Sequence, residues 1–369
     1  MNRRLFALPV LLLAGAIVAA VNWAERGRAG RESNTVLLAH SKAAAPAREK
    51  AQAKPLRKIS FAVVGDIAMV PSEDGGASYF ASVGPYLRGD VVLGNLEGTL
   101  TERGSSKCGS GSSSCFAFRA PPSYGSLLKR AGFTVLNTAN NHAYDYGPVG
   151  QADTLATLDR VGLHHMGRPG EISVVRIGST KVALIGFAPY PWAQSLTNVA
   201  AARAIVSRAA GMADLVVVMI HAGAEGADAS HVRAGTEFFL GENRGDSEDF
   251  AHAVIRAGAD LVVGSGPHVL RGIEWYRHRL VAYSLGNFEG CHTLSTGGDL
   301  SLSGVLHVTL RSDGSWVGGD LVPIHLVGCG VPERDPAEAT HGFVRERSRE
   351  DFGRRAVRIS RTGVLLPPG

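Results

Sequence analysis

The stretch Gly132-Phe-Thr-Val-Leu-Asn137-Thr-Ala-Asn140-Asn141-His142-Ala-Tyr-Asp145-Tyr-Gly147 joins an apolar run to a group of polar side chains. The run from Phe133 to Leu136 is short and partly β-branched, which predicts a buried strand. Pro148 then opens a helical pattern, because proline is favoured in the first turn of a helix. The polar residues therefore lie at the carboxyl end of a strand, where open α/β sheets bind ligands. Alternatively, the Asn and Asp residues only form the turn.

Four other apolar runs also end in polar side chains. In chain order, their polar side chains are Asp66, then Asn95 and Glu97, then His221 and Glu225, and finally His268. The stretch above adds Asn141 and His142. If the strands are parallel, the side chains converge at one edge of a sheet. Carboxylates, amide oxygens and imidazoles together suit a divalent ion such as Mn, Zn, Fe or Mg. Pairs of such ions with a shared carboxylate are common in phosphoester hydrolysis, so we expect a site for one or two ions.

The order of the elements predicts an α/β fold. Strands and helices alternate first and hairpins follow, while the continuous apolar run Asp214–Ile220 is typical of a strand buried on both faces. Helices are expected at residues 76–87, 121–131, 148–161, 198–210 and 248–257. Strands are expected at residues 59–64, 91–93, 133–136, 172–177, 181–187, 214–220, 261–263, 272–275, 280–284, 303–310 and 316–324. We expect two sheets packed face to face with helices outside.

Charge and hydropathy separate the N-terminal residues from the rest. Residues 1–58 carry 11 Lys/Arg and 3 Asp/Glu, a net charge of +8, whereas the remainder carries 27 and 30, a net charge of −3. Arg3 and Arg4 precede the uncharged apolar run Leu5 to Val21, which indicates a signal peptide or membrane anchor over residues 1–21. The protein is therefore expected to be exported, either membrane-anchored or periplasmic. The acidic remainder gives no indication of nucleic-acid binding.

The sequence predicts one folded domain between two irregular segments. Residues 22–58 are basic and lack apolar periodicity, so we interpret them as a flexible linker. The domain is expected at residues 59–330. Residues 331–369 are charged and contain proline, so we interpret them as a loose C-terminal extension with a short strand at 356–359.

Four cysteines are compatible with export. Three pairings of Cys108, Cys115, Cys291 and Cys329 are possible. We favour Cys108 with Cys115, which closes a Gly/Ser loop, and Cys291 with Cys329. An oxidising compartment favours disulfides over free thiols. No two cysteines have the short spacing of a zinc site.

The motifs resemble those of the CapA family, whose best-known members take part in poly-γ-glutamate capsule synthesis. The matching segments, in the family's order, are Gly65-Asp66, Asn95-Leu96-Glu97, Asn140-Asn141-His142 with Asp145 and Gly147, His221-Ala-Gly-Ala-Glu225, Gly258 to Gly264 with Pro267-His268-Val269, and Ser284-Leu285-Gly286-Asn287-Phe288. The family is similar to calcineurin-like metallophosphatases. The resemblance covers about residues 59–290 and implies a four-layer α/β/β/α sandwich.

The resemblance also implies roles for the polar residues. Asp66 and His268 would bind a first metal ion, Asn141 and His221 would bind a second, and Glu97 would bridge them. His142 would be an acid or hydrogen-bond donor that faces a phosphate. The sequence departs from the metallophosphatase pattern at Ala68 and Gly266, where histidines are usual. Glu225 is a candidate for one missing ligand, and one ion, two ions and an unmetallated cleft all stay open.

Two functions are compatible with these residues. The first is an exported metal-dependent hydrolase of a phosphoester or a related ester. The second is a non-catalytic factor that binds or assembles an anionic envelope polymer, such as poly-γ-glutamate, in the same cleft. Under either hypothesis, other capsule-synthesis membrane proteins are candidate partners.

Overall fold

The computed structural model describes residues 56–109 and 115–369. The strands, in chain order, are β1 (Lys58–Ile67), β2 (Val91–Leu96), β3 (Thr99–Leu100), β4 (Arg119–Ala120), β5 (Val135–Asn137), β6 (His164–Met166), β7 (Ser173–Ile177), β8 (Thr180–Phe187), β9 (Leu215–His221), β10 (Glu237–Phe239), β11 (Glu242–Gly245), β12 (Leu261–Ser265), β13 (Ile273–Tyr276), β14 (Arg279–Ala282), β15 (Asn287–Glu289), β16 (Leu302–Arg311), β17 (Trp316–Val327), β18 (Val331–Arg334), β19 (Arg358–Ile359) and β20 (Leu365–Leu366). The helices are α1 (Gly125–Ala131), α2 (Gly147–Arg160), α3 (Val199–Ala210), α4 (Ser247–Arg256) and α5 (Ala339–Phe352).

The fold contains two large β-sheets. The first has the order β18-β17-β16-β1-β2-β5-β6, and β15 also pairs with β1. The second has the order β13-β14-β12-β9-β8-β7. The strands β1, β2, β5 and β6 are parallel, and so are β8, β9, β12 and β14. Their carboxyl ends therefore meet at a common edge in each sheet, so the polar loops, which the sequence predicts at one sheet edge, come from the edges of two sheets.

Alternating side chains build three apolar layers. Phe61 and Val63 of β1 face the second sheet, whereas Ala62 and Val64 face the opposite side, as the two-residue period of a strand requires. The layer between the first sheet and its helices includes Leu128 of α1 and Leu158 of α2. Helices α3 and α4 cover the outer face of the second sheet. The predicted α/β/β/α sandwich is confirmed.

Helix starts follow local sequence signals. Asn198 caps α3, because its side chain accepts a hydrogen bond from the Ala201 amide, and Asp246 caps α4 in the same way through Asp249. The prediction of a helix at residues 76–87 is wrong. That segment forms turns that end in a short 3₁₀ turn, Gly84–Tyr86.

The interpretation of residues 331–369 as loose is also wrong. Strand β18 extends the first sheet, and α5 places Val344 in the core between the sheets. Phe352, at the end of α5, packs in the outer core of the second sheet. Only the short strand near residue 358 is as expected, as β19. This segment is therefore part of the sandwich.

Both expected disulfides form, Cys108–Cys115 and Cys291–Cys329. Residues 1–55 lie outside the described residues, so the signal or anchor at 1–21 and most of the linker at 22–58 stay predictions. Within the described residues, no helix combines the length and the apolar character needed to cross a membrane.

Candidate metal centre

Asp66 lies at the point where the two sheets approach each other. On β1 it is in register with Asn95 of β2 and Asn287 of β15. Gly65 allows this arrangement, because a Cβ there would lie 1.9 Å from the Gly286 carbonyl oxygen. The Asn95 amide donates to Asp66 Oδ1 over 2.8 Å, and the Gly266 backbone N–H donates to Oδ2 over 3.1 Å. The carboxylate thus connects β1, β2 and the loop after β12.

Glu97 follows β2 and is fully buried. Neither of its carboxylate oxygens has a hydrogen-bond partner among the described residues. Its Oε1 atom lies 3.6 Å from His221 Nε2 and 3.7 Å from His268 Nε2. Burial, followed by the charge of Asp66, raises the pKa of Glu97 well above its usual range. Because a buried polar group without a partner is costly, Glu97 favours a cation beside it.

Two histidines complete the cluster. Burial lowers the pKa of His221, the last residue of β9, to about 4, so the ring is neutral and able to bind a metal. Burial would also lower the pKa of His268, but the charges of Glu97 and Asp66 raise it to about 10. His268 has a φ of +60°, a conformation that non-glycine residues rarely adopt. Its Nδ1 donates to Asn287 Oδ1 over 2.8 Å, which leaves Nε2 directed at Glu97.

These residues fit a divalent metal ion. Donor atoms of Asp66, Glu97 and His221 lie within 4.8 Å of one another, and His268 Nδ1 is 3.4 Å from Asp66 Oδ2. Burial alone would raise the pKa of Asp66, but its contacts with the two histidines hold the pKa well below its usual range. The cluster therefore combines an ionised carboxylate, unpartnered carboxylate oxygens and imidazole nitrogens, which is the mixed set expected from the sequence.

The loop after β5 lies against this cluster. Asn140 donates to Asn95 Oδ1 over 3.1 Å and to the Leu96 carbonyl over 2.8 Å. The next residue, Asn141, has a buried Oδ1 without a hydrogen-bond partner among the described residues. Like the two Glu97 oxygens, it is a buried oxygen without a partner in the described part of the chain, which suits the metal role that the resemblance implies.

His142 is held by a carboxylate and an aromatic ring. Its Nδ1 donates to Asp145 Oδ2 over 2.7 Å, and its ring stacks on Phe118 with centroids 4.2 Å apart. Lys107 Nζ lies 2.7 Å from the other Asp145 oxygen. Burial lowers the pKa of His142, against the opposing effect of Asp145. The neutral ring therefore has Nε2 as an acceptor, and it must bind a proton before it can act as the expected donor.

Arg244 is the residue that sequence reasoning missed. It is fully buried on β11 and donates to Glu225 Oε1 over 2.7 Å and to the Gly266 carbonyl over 3.3 Å. Its Nη2 also lies 3.4 Å from His221 Nε2. Glu225, an expected ligand, is therefore bound to Arg244, and its Oε2 is 3.7 Å from His268 Nε2. The segment Glu-Asn-Arg-Gly around Arg244 resembles an exposed turn, so its local pattern gave no signal.

Another acidic and histidine cluster within the described residues has all its groups paired. Glu274 is buried and contacts His252 Nε2 at 2.9 Å, the Tyr283 hydroxyl at 2.7 Å and Arg355. Glu248 accepts from Arg355 over 2.9 Å. Because these charges are compensated by protein groups, this cluster is less suited to a metal than the one around Glu97.

A family model described as the bacterial capsule synthesis protein PGA_cap matches residues 60–289, more than half of the chain. This chain belongs to the PGA_cap family. The match spans every residue of the metal cluster, the His142 loop and Arg244.

Curated relatives carry capsule-related names. The chain is 28% identical over 352 residues to the capsule biosynthesis protein CapA of Bacillus anthracis, covering 88% of this chain and 77% of that protein. It is 32% identical over 254 residues to the PGA biosynthesis protein CapA of Bacillus subtilis (strain 168), covering 62% of this chain and 63% of that protein.

Solved structures that match part of this chain include two that are named as enzymes. One is a novel phosphatase from Mycoplasma pneumoniae, with a TM-score of 0.48 and 12% identity, covering 76% of this chain and 96% of that one. Another is a 5'-nucleotidase precursor from Thermus thermophilus, with a TM-score of 0.42 and 15% identity, covering 72% of this chain and 54% of that one.

Proposed function

We propose that this member of the PGA_cap family is an exported, metal-dependent hydrolase of a phosphoester or related ester that acts in the biosynthesis of an anionic envelope polymer. The environment of Glu97 is the observation that supports the proposal most strongly. Its two buried oxygens have no hydrogen-bond partner among the described residues, and Asp66, His221 and His268 surround them.

Each residue of the cleft has a separate task. Asp66, Glu97, His221 and His268 would hold a divalent ion, which supplies Lewis-acid polarisation of a phosphoryl oxygen and of a water. Asn287 accepts a hydrogen bond from Nδ1 of His268, so Nε2 is the nitrogen that would bind the ion once it has released its proton. His142, whose Nδ1 donates to Asp145, presents Nε2 to accept a proton from the attacking water or, once protonated, to donate to the leaving group.

Export rests on two features of the chain. The basic residues before the apolar run Leu5 to Val21 would direct the chain to the cytoplasmic membrane, as signal or anchor. The two disulfides suit an oxidising compartment. Other membrane proteins of polymer synthesis are the expected partners.

A second candidate function is favoured by the residues at 68 and 266. Ala68 and Gly266 offer no ligand, and Glu225 is bound by Arg244. A cleft with fewer ligands than a binuclear enzyme could bind a carboxylate-rich polymer without turnover. In that case the protein would be an assembly factor.

Metal content and hydrolysis, measured together, test the proposal. The folded part, residues 56–369, is exposed to Mn, Zn, Fe or Mg, dialysed, and assayed with the generic substrate bis(p-nitrophenyl) phosphate. We expect bound metal and turnover, both lost in an Asp66→Ala/His268→Ala variant. A matched control is Asp320→Ala/His307→Ala, which removes an Asp–His pair from β16 and β17, outside the metal cluster. Metal without turnover would favour the assembly role, and absence of metal would contradict the proposed centre.

A further inference from the structure

We propose that the guanidinium of Arg244 occupies the position of a second metal ion, so that the cleft binds one divalent ion per chain. This inference rests on the metal centre of the proposed function and defines its stoichiometry.

The contacts of Arg244 place it among the groups that a second ion would need. Nη2 lies 3.4 Å from His221 Nε2, and Nη1 lies 2.7 Å from Glu225 Oε1. The remaining donors are also used, since Nε donates to the Gly223 carbonyl over 3.0 Å and Nη1 contacts the Tyr190 hydroxyl at 2.8 Å. A side chain held by this many contacts, and fully buried, is a fixed part of the cleft.

The backbone leaves no room for a competing ligand from residue 266. A Cβ on Gly266 would lie 3.2 Å from Arg244 Nη2, 3.2 Å from His221 Cδ2 and 2.9 Å from the Ala222 amide nitrogen. The φ of Gly266 is +108°, which side chains other than glycine rarely adopt. The guanidinium therefore fills the space that an imidazole from residue 266 would enter.

The stoichiometry of Mn²⁺ binding tests the inference on residues 56–369. Metal content after dialysis is measured by mass spectrometry, and electron paramagnetic resonance distinguishes an isolated Mn²⁺ from a coupled pair. We expect one ion per chain with the spectrum of an isolated ion. Two ions with a coupled spectrum would overturn the inference but leave the proposed metal centre intact. No bound ion would overturn both.

Variants of Arg244 test whether its guanidinium limits the cleft to one ion. Arg244→Ala would free Glu225, which with the second Glu97 oxygen and Asn141 would become available to a second ion, so we expect the count to rise from one to two. Arg244→Lys keeps the charge and should keep one ion. Arg271→Ala is a matched control, because Arg271 is equally buried but binds Glu237. A folded Arg244→Ala variant that still binds one ion would overturn the inference. If that variant does not fold, the counts for the wild type and Arg244→Lys decide.

Discussion

Burial and the charges of Lys107 and His268 lower the pKa of His142, whereas Asp145 favours its protonated form. The carboxylate accepts from Nδ1 over 2.7 Å and opposes the effect of burial on the pKa of His142. In Asp145→Asn the charge is lost, so we expect the pKa of His142 to fall further and the Nδ1-protonated tautomer to lose its preference. Hydrolysis should fall about a hundred-fold or more, whereas metal content should not change.

Nitrogen NMR of the isotope-labelled His142 side chain measures its tautomer and its pKa without any assay of activity. An unchanged tautomer and titration in Asp145→Asn would contradict the role of Asp145. Asp153→Asn is a suitable control, because Asp153 pairs with the exposed Arg103 and does not contact His142.

Glu289 makes stability depend on pH. It is fully buried, and burial raises its pKa from 4.5 to about 8. The folded state therefore binds the proton more tightly than the unfolded state, so the contribution of Glu289 is complete below pH 4.5 and is lost as pH rises to about 8. In Glu289→Gln the acceptor for the Cys291 amide can remain and no charge forms. We expect this variant to exceed the wild type in unfolding free energy by roughly 3–5 kcal/mol at alkaline pH, and to equal it near the acid limit.

Urea unfolding across this pH range measures the difference in unfolding free energy between Glu289→Gln and the wild type. Other titrating groups are common to both chains, so they cancel in the comparison. Glu333→Gln, at an exposed position of β18, should show no such trend. If the difference in unfolding free energy between Glu289→Gln and the wild type does not vary with pH, the raised pKa of Glu289 is contradicted.

The site residues divide into those with a local signal and those without one. Asp66, His221 and His268 each follow an apolar run, so the sequence alone predicts that they converge, and the structure brings them together. Arg244 has no such signal. Its position depends on β10 and β11, a hairpin that the sequence did not predict, and on the space left by Gly266. Long-range packing of this kind cannot be read from a local pattern.

The two disulfides differ in the length of chain that they close. Cys291–Cys329 spans 38 residues and Cys108–Cys115 spans 7. Because cross-linking restricts the unfolded chain more when the loop is longer, we expect Cys291→Ser/Cys329→Ser to lose about 4 kcal/mol of unfolding free energy, and Cys108→Ser/Cys115→Ser to lose about 2.5 kcal/mol. Chemical denaturation of the two double variants gives both values. Equal losses, or a larger loss for the short loop, would contradict this order.

Among the elements, α5 shows why the C-terminal segment was misinterpreted. The helix is rich in charged residues, so its apolar periodicity is weak. Polar contacts to both sheets add to the packing of Val344 and Phe352, since the Ser348 hydroxyl accepts from the Ile273 amide and the Thr340 hydroxyl donates to the Ser303 carbonyl, each over 2.8 Å. In contrast, β9 is buried along its whole length and its apolar run predicted it directly. Sequence patterns report burial well, but they do not report hydrogen bonds between distant elements.

At the scale of the whole molecule, charge is divided between two parts of the chain. Residues 22–58 carry 9 Lys/Arg and 3 Asp/Glu, a net charge of +6, whereas residues 59–369 carry a net charge of −3. The field of the folded part therefore opposes an anionic polymer, and the basic segment attracts one. An anionic partner should first bind through residues 22–58 and only then reach the cleft.

Binding of poly-γ-glutamate to two chains tests this division of charge. Residues 22–369 should bind the polymer about ten-fold more tightly than residues 59–369 at low ionic strength, and the difference should shrink as salt screens the charges over distances of about 10 Å at 0.1 M. Replacing the 9 basic residues of 22–58 by Gln should reproduce the shorter chain. Equal affinity of both chains at low salt would locate recognition in the folded part, where the cleft would then have to overcome the repulsion of its own domain.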